Sequence, residues 1–410
     1  MRRPPRRAPR GWRATFESLQ EKDYRYLWLG LLFQMGGLQM QSVARGYLVY
    51  DITSSPFLLG VVNAGFALPM LALALFGGAV ADRLERRRVI QAGQLTAALL
   101  GLFIAVSITT NTVTWVHLFV ASMVQGALFS FLMPARQAII PQLVGPDRVT
   151  NAMALNAAAM SASTLVAPTV AGTLYAWIGP DGVYYVIAGM SLAAVILTGM
   201  IRKIENAPLK GRSVAGDIKA GLSYIRATPI VMVLLVMGLA TALLAMPFRF
   251  LMPVFVVDVY NRGPEALGLL VSVMGLGSLA GSLFIASLGR WRRGLLLLAT
   301  SMASGVALLL VATFPLYYAA VVIMLLLGLG DAGRRTLNQS LIMEIVEDQY
   351  RGRVMSVFMM NFGLMPLGVL PAGIIAEFLG GQVAIGLLAV LLILVTLAIG
   401  VSQRRLRELA

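Results

Sequence analysis

The chain has 410 residues, of which 58% are hydrophobic and only 12% charged, and it carries a formal net charge of +15. So apolar a balance excludes an ordinary water-soluble domain, and the absence of cysteine excludes disulfides, thiolate metal sites and cysteine nucleophiles. The one histidine, His117, cannot make a metal centre alone and reads as an interfacial surface residue.

The opening "MRRPPRRAPRGWRATFESLQEKDYRYLW" is arginine-rich, and the apolar segment behind it is long and lacks a small-residue cleavage site. This predicts an uncleaved tail over 1–26, a transit peptide being the alternative. Its arginines could lie against anionic lipid headgroups, at about 1 kcal/mol each near the surface. From Leu27 onward, apolar stretches of bilayer-spanning length, roughly 20 residues, alternate with short polar breaks. Twelve spans are predicted, at 27–50, 57–80, 89–109, 115–135, 153–177, 182–201, 230–254, 266–288, 294–313, 316–336, 354–376 and 382–402. Backbone groups in lipid must find partners inside their own segment, and these runs lack the alternation of a barrel strand, so they are read as helices. The longest polar interruption divides the chain into a six-helix bundle over 27–201, a linker over 202–229, a second bundle over 230–402 and a tail over 403–410. Within the linker a surface helix is expected near Gly216 to Arg226.

With the N-terminus inside, all but three of the 33 lysines and arginines fall on the inner side. The exceptions are Arg45 and Arg249, inside spans, and Arg262, in an outer loop. The positive-inside rule therefore predicts a multi-pass protein with both termini in the cytoplasm. Topology accounts for the basicity, leaving little for nucleic acid.

Span one carries Gln34, Gln41 and Arg45 within about 40° of arc on an ideal helix, a polar stripe. A charge deep in a span costs several kcal/mol unless it faces a wet cavity or a partner. Span two, which contains Asn63, ends in the charge knot "GGAVADRLERRR" at 77–88, with Gly78, Asp82, Arg83, Arg86 and Arg87. Asn63 and, in span four, Gln125 read as interhelical hydrogen-bonding groups more than as ligands. Span seven sets Arg249 between Pro247 and Pro253, at a depth like that of Arg45. Two arginines facing one cavity would favour an anionic or oxygen-rich substrate. The alternative is that they cap helix ends or pair with Asp51 or Asp258 as a gate.

In spans eight and eleven, Gly275, Gly277, Gly281, Gly363 and Gly368 read as close-packing positions. Span ten places Asp331 in "LGLGDAGRRTLNQ", with Arg335 and Asn338 on nearly the same face. Buried alone, this acid could bind and release a proton; paired with Arg334 or Arg335, it would be held charged. The methionines of "VMSVFMMNFGLM" at 354–365 form an adaptable wall or pack against lipid.

The halves repeat one another weakly. "RGYLVYDITSSPFLLG" at 45–60 parallels "RFLMPVFVVDVYNRGPEALG" at 249–268, and "RQAIIPQLV" at 136–144 parallels "NQSLIMEIV" at 338–346. Together these features resemble the major facilitator superfamily over essentially the whole chain. Its signature between helices two and three reads roughly G-x-L-A-D-R-x-G-R-K, and Gly78, Val80, Ala81, Asp82, Arg83, Arg86 and Arg87 occupy the corresponding places, with Glu85 at the usual second glycine.

The resemblance implies an all-α membrane fold of twelve helices in two pseudo-symmetric bundles, with helices one, four, seven and ten lining a central cavity. It also implies a conformational latch in which Asp82 accepts hydrogen bonds from a neighbouring helix N-terminus and from arginine. The segments "YRYLWLG", "LVYDITSSP", "ADRLERRR", "PARQAIIPQLV" and "YRGRVMSVF" are similar to the branch of bacterial exporters that includes enterobactin exporters and macrolide efflux pumps. "SASTLVAPTVAG" at 161–172 resembles the antiporter motif G-x-x-x-G-P-x-x-G-G, with Ser163, Ala167 and Ala171 at glycine positions and Pro168 and Gly172 matching.

The function this implies is proton-coupled export of a small molecule across the bacterial cytoplasmic membrane by alternating access. The partners are that molecule, protons and membrane lipids, no cofactor or metal is expected, and a monomer suffices. Uptake or lipid flipping by the same fold, and a non-transporting receptor, stay open. No phosphate-binding loop G-x-x-x-x-G-K-[ST], H-E-x-x-H or G-x-S-x-G supports ATP-driven transport or an intramembrane enzyme.

Overall fold

A computed structural model describes residues 15–83, 85–202, 223–288 and 292–409, without side chains at 74–83, 146, 348, 349, 352, 356, 359 and 362. Among these residues the regular elements are helical, as expected for apolar runs that must satisfy their own backbone. α1 (Lys22–Thr53), α2 (Pro56–Arg83), α3 (Arg86–Thr109) and α4 (Trp115–Val144) lead into one helical stretch, Val149–Gly199. Its 51 residues would extend about 75 Å, against a hydrocarbon core of about 30 Å. The stretch is accordingly broken at Gly179, where φ is 77° and Pro180 follows, into α5 (149–178) and α6 (180–199). Only glycine takes that positive φ without strain.

The second half comprises α7 (Pro229–Val259), α8 (Pro264–Ser287), α9 (Arg293–Thr313), α10 (Tyr317–Ile345), α11 (Asp348–Gly363 and Pro366–Leu379) and α12 (Gly381–Ser402). Among the described residues nine helices are long and apolar enough to cross a membrane, with α5 and α6 taken as one. α1 is diluted by Gln34, Gln39, Gln41 and Arg45, and α11 is interrupted before Pro366.

Several helices run past the predicted spans. α1 begins at Lys22, and α4 continues to Val144, so Arg136, predicted to open a loop, is buried inside a helix. From Thr15 the expected free tail is docked on the first half. Arg148 pairs with Glu17 at 3.0 Å and Glu21 at 2.5 Å, the Ser18 N–H donates to Asn151, and the Tyr24 hydroxyl donates to Ala152 O at 2.7 Å. Of the expected linker helix only 223–227 is seen; 216–222 lie outside the described residues. Tyr224 stacks on Tyr350 at 4.4 Å, which ties this segment to the second half.

In the first half α1 and α3 pack on the α5–α6 stretch and α2 packs on α4; in the second, α8 and α9 pack on α10 and α9 on α12. The halves meet where α5 lies on α8 and α2 on α11. Lipid supplies no hydrophobic force between helices, so close approach through small residues takes over. Gly126 faces Phe66 O, Gly277 faces Leu325 O, and Gly328 faces Met274 O. Large apolar side chains point outward instead, such as Leu95, Leu99, Leu102 and Val106 along α3. Their spacing of three or four residues marks one lipid-facing stripe.

Candidate functional site

Buried polar groups on α1, α4 and α10, with the half-buried Arg249 of α7, outline the candidate site, and the two halves arrange them differently. In the first half, Arg45 is 6% exposed and its Nη1 donates to Gln125 Oε1 at 3.1 Å, while Gln125 Nε2 donates to Gln41 Oε1 at 2.5 Å. This chain joins α1 to α4. Gln34, two turns back along the same face of α1, is buried with its Oε1 unpartnered. Among the described residues no acid pairs with Arg45. Asn63, expected to bridge helices, instead returns its Nδ2 to Leu59 O of its own helix at 2.8 Å, the usual back-bond of a short amide.

In the second half α7 bends at Ala245, where Pro247 and Pro253 withhold N–H donors, and it ends in a π-helical turn, Phe255–Val259. Arg249, between the prolines, lines a cleft of about 440 Å³ shared by both halves, together with Gln39, Ser42 and Asn63. Asp331 and Arg335 act electrostatically on Arg249. On α10, Asp331 accepts from both Arg334 and Arg335, so of the two expected states of this acid the structure holds the paired one. Arg334, 3% exposed, and Arg335 share with Asn338, Asn361 and Thr241 a second cleft of about 420 Å³.

Neither Arg45 nor Arg249 pairs with Asp51 or Asp258; other groups join the halves at that end. Asp258, set by the π turn, accepts from the Tyr50 hydroxyl. Glu377 of α11 accepts from Ser55 Oγ at 2.7 Å and from the Phe57 N–H at 3.1 Å, at the positive N-terminal end of α2. These contacts close the end of the bundle opposite to that carrying Glu17–Gln20 and Arg404–Arg407. Beside them burial pushes the phenol of Tyr260, just past α7, up to about 12, while Asp258 and Glu377 themselves remain exposed.

The antiporter-like residues lie on the seam between halves. Ser163 returns its hydroxyl to Ala159 O at 2.9 Å, and Ala167, Pro168, Ala171 and Gly172 are buried. Gly172 faces Pro264 O, Gly268 faces Pro168 O, and the Thr169 N–H donates to Ser272 Oγ at 3.1 Å.

The side chains of Gly78, Asp82 and Arg83 lie outside the described residues, so the acid of the expected latch is not seen. The arginines after it hold their own half. Arg86 Nη1 donates to Ala138 O at 3.0 Å, and Arg87 donates to the last carbonyls of α6, Gly199 at 2.9 Å and Ile201 at 2.5 Å. Glu85 pairs with Arg88 at 2.8 Å. His117 accepts the Thr114 N–H on Nδ1 at 3.0 Å and so caps α4.

Sequence reasoning missed Tyr50, Glu377 and Arg136. For Glu377 a signal existed, an acid inside an otherwise apolar run.

The chain is 27% identical to the multidrug efflux pump Tap of Mycolicibacterium fortuitum, over 77% of this chain and 79% of that protein. It is 23% identical to macrolide efflux protein A of Streptococcus pyogenes, over 81% and 83% respectively. Enterobactin exporter EntS of Shigella boydii is also 23% identical, over 81% of this chain and 79% of that one. In fold it matches the crystal structure of nucleoside transporter NupG with a TM-score of 0.73 at 17% identity, covering 92% of this chain and 98% of that one. A bacterial homolog of the human lysosomal transporter Spinster, inward-facing and occupied, matches with a TM-score of 0.75 at 14% identity over 94% and 97%. The family model described as Major Facilitator Superfamily matches residues 27–367 and 250–407, and with that match over a bundle of apolar helices the chain belongs to this superfamily of membrane transporters.

Proposed function

We propose that this transporter is a proton-coupled exporter of small molecules that works by alternating access. The observation that carries the reading is Asp331, an acid inside a membrane helix clasped by Arg334 and Arg335 within reach of Arg249. An intramembrane ionisable group of this kind marks an ion or substrate path. In this state the two arginines hold Asp331 charged, so it takes up a proton only when alternation draws the guanidiniums away, for instance onto a bound substrate. Deprotonation draws them back. Such an exchange lets one acid couple proton movement to the state of the cleft.

The relatives named as efflux pumps and an exporter support the outward direction. The distribution of lysine and arginine supports placing the termini in the cytoplasm. On that orientation the contacts of Tyr50 with Asp258 and of Ser55 with Glu377 close the outer end. The test is cellular retention of catecholate siderophores and lipophilic drugs, macrolides included, in an efflux-deficient host with and without the protein. Reduced retention of one class, abolished by a protonophore, is the expected result. Increased retention would reverse the direction, and protonophore-insensitive export would remove the proton.

A further inference from the structure

Arg136 belongs to none of the contacts assigned so far. It sits on α4 about two turns before the helix ends, 4% exposed, among α1, α3 and α4. Its Nη2 is anchored: the Gln94 amide, set with its oxygen toward Arg136, accepts at 3.2 Å and donates in turn to Ala194 O at 3.1 Å. Its Nε and Nη1 have no partner, and among the described residues no carboxylate pairs with it. A structural staple from α4 through α3 to α6 needs only Nη2. Leaving the other donors unmatched and the charge unbalanced in so buried a place costs several kcal/mol.

The guanidinium lines a narrow cavity whose walls come from the first half alone, distinct from the cleft between halves and from that at Asp331. Gln34 and Gln125 line it too. Gln34 is 8% exposed and its Oε1 is unpartnered, so its amide is free to turn and present two N–H donors. The remaining wall is apolar, including Leu128, Phe129 and Met133. A fixed cation, an adaptable amide and an apolar wall without acid match a small organic group ending in a carboxylate or phosphate.

We infer that Arg136, with Gln34, forms a binding site for an oxyanion, carboxylate or phosphate, inside the first half of the bundle. The inference rests on the transport reading only where it takes the oxyanion to be the acidic group of a transported molecule. Binding is measured without transport, so the two can fail separately.

The full chain is reconstituted in nanodiscs of phosphatidylcholine and its thermal unfolding followed against citrate at constant ionic strength. A parallel series uses discs containing phosphatidylglycerol. In phosphatidylcholine, wild type should be stabilised saturably by citrate; Arg136→Gln should need at least ten times more citrate, while Arg88→Gln, which removes an equal charge at the surface, should match wild type. If the source is an anionic lipid headgroup, phosphatidylglycerol stabilises wild type but not Arg136→Gln beyond the zwitterionic phosphatidylcholine discs, and citrate then adds nothing. No stabilisation by either probe, or equal stabilisation of wild type and Arg136→Gln, overturns the site. Should Arg136→Gln fail to fold, Gln34→Ala decides: a several-fold loss of apparent affinity supports the site, and unchanged affinity removes it.

Discussion

In the first half, the cleft among α1, α3 and α4 holds Arg136 with no acid paired to it; in the second, the cleft between α7 and α10 holds Arg334 and Arg335 closed on Asp331. The repeat that aligns 136–144 with 338–346 sets Arg136 opposite Asn338 and, in the same register, Phe129 opposite Asp331. One scaffold has thus been filled in two ways. The pattern extends to the closed end, where Asp258 and Glu377 of the second half accept from Tyr50, Ser55 and Phe57 of the first. The second half brings its own anions, whereas the first presents donors and, at Arg136, an unbalanced cation. Corresponding helices therefore need not share chemistry: where the second half carries Asp331, Arg334 and Arg335, the first carries Phe129, Leu132 and Met133, and its arginine stands at 136 instead.

The sharpest way to break this comparison is to strip the second half of its acid. Asp331→Asn should destabilise the protein by about 3–5 kcal/mol, since it leaves Arg334 buried without a counter-charge, and should abolish gradient-driven export. Thermal unfolding and protonophore-sensitive efflux are the two readouts. Adding Arg334→Gln, which removes the stranded buried charge, should restore part of the stability and none of the export.

Next in size is the closed end. Glu377→Gln replaces two charge-assisted hydrogen bonds by neutral ones, a loss of about 1.5–3 kcal/mol of closure. Because the chain has no native cysteine, one introduced at position 59, fully buried in the first turn of α2, reports on opening, and its labelling by a membrane-impermeant maleimide should quicken at least several-fold.

A third variant gives the first cleft an acid of its own. Phe129→Asp puts an acid two turns from Arg136 in the first cleft, and citrate should then stabilise the protein at least ten times more weakly. The smallest effect is expected at Gln125→Ala, which cuts the link between Arg45 and Gln41. A fall in unfolding temperature corresponding to about 1–3 kcal/mol, the penalty for one unmatched buried donor, would fit; an unchanged temperature would show that Arg45 finds another acceptor.

What the sequence made legible follows from distance along the chain. Gln34, Gln41 and Arg45 share a helix face, and Asp331 reaches Arg334 and Arg335 three and four residues on, so helical periodicity alone groups them. The partnership of Ser55 with Glu377 spans 322 positions and depends on α2 lying against α11, which no local pattern encodes. Arg136 was assigned to a loop because hydropathy cannot distinguish a charge leaving the membrane from one covered by neighbouring helices. Its burial arises from α1, α3 and α6 closing over the last turns of α4.

The seam of α5 on α8 has a mechanical consequence. At Gly172 against Pro264, Gly268 against Pro168 and Gly275 against Thr164, the helix backbones approach one another directly. Interdigitated helices must lift apart before they can turn, because each knob has to leave its hole. Two smooth rods can roll in place. This line is thus suited to act as the axle of the molecule, along which contacts persist while those further out are made and broken.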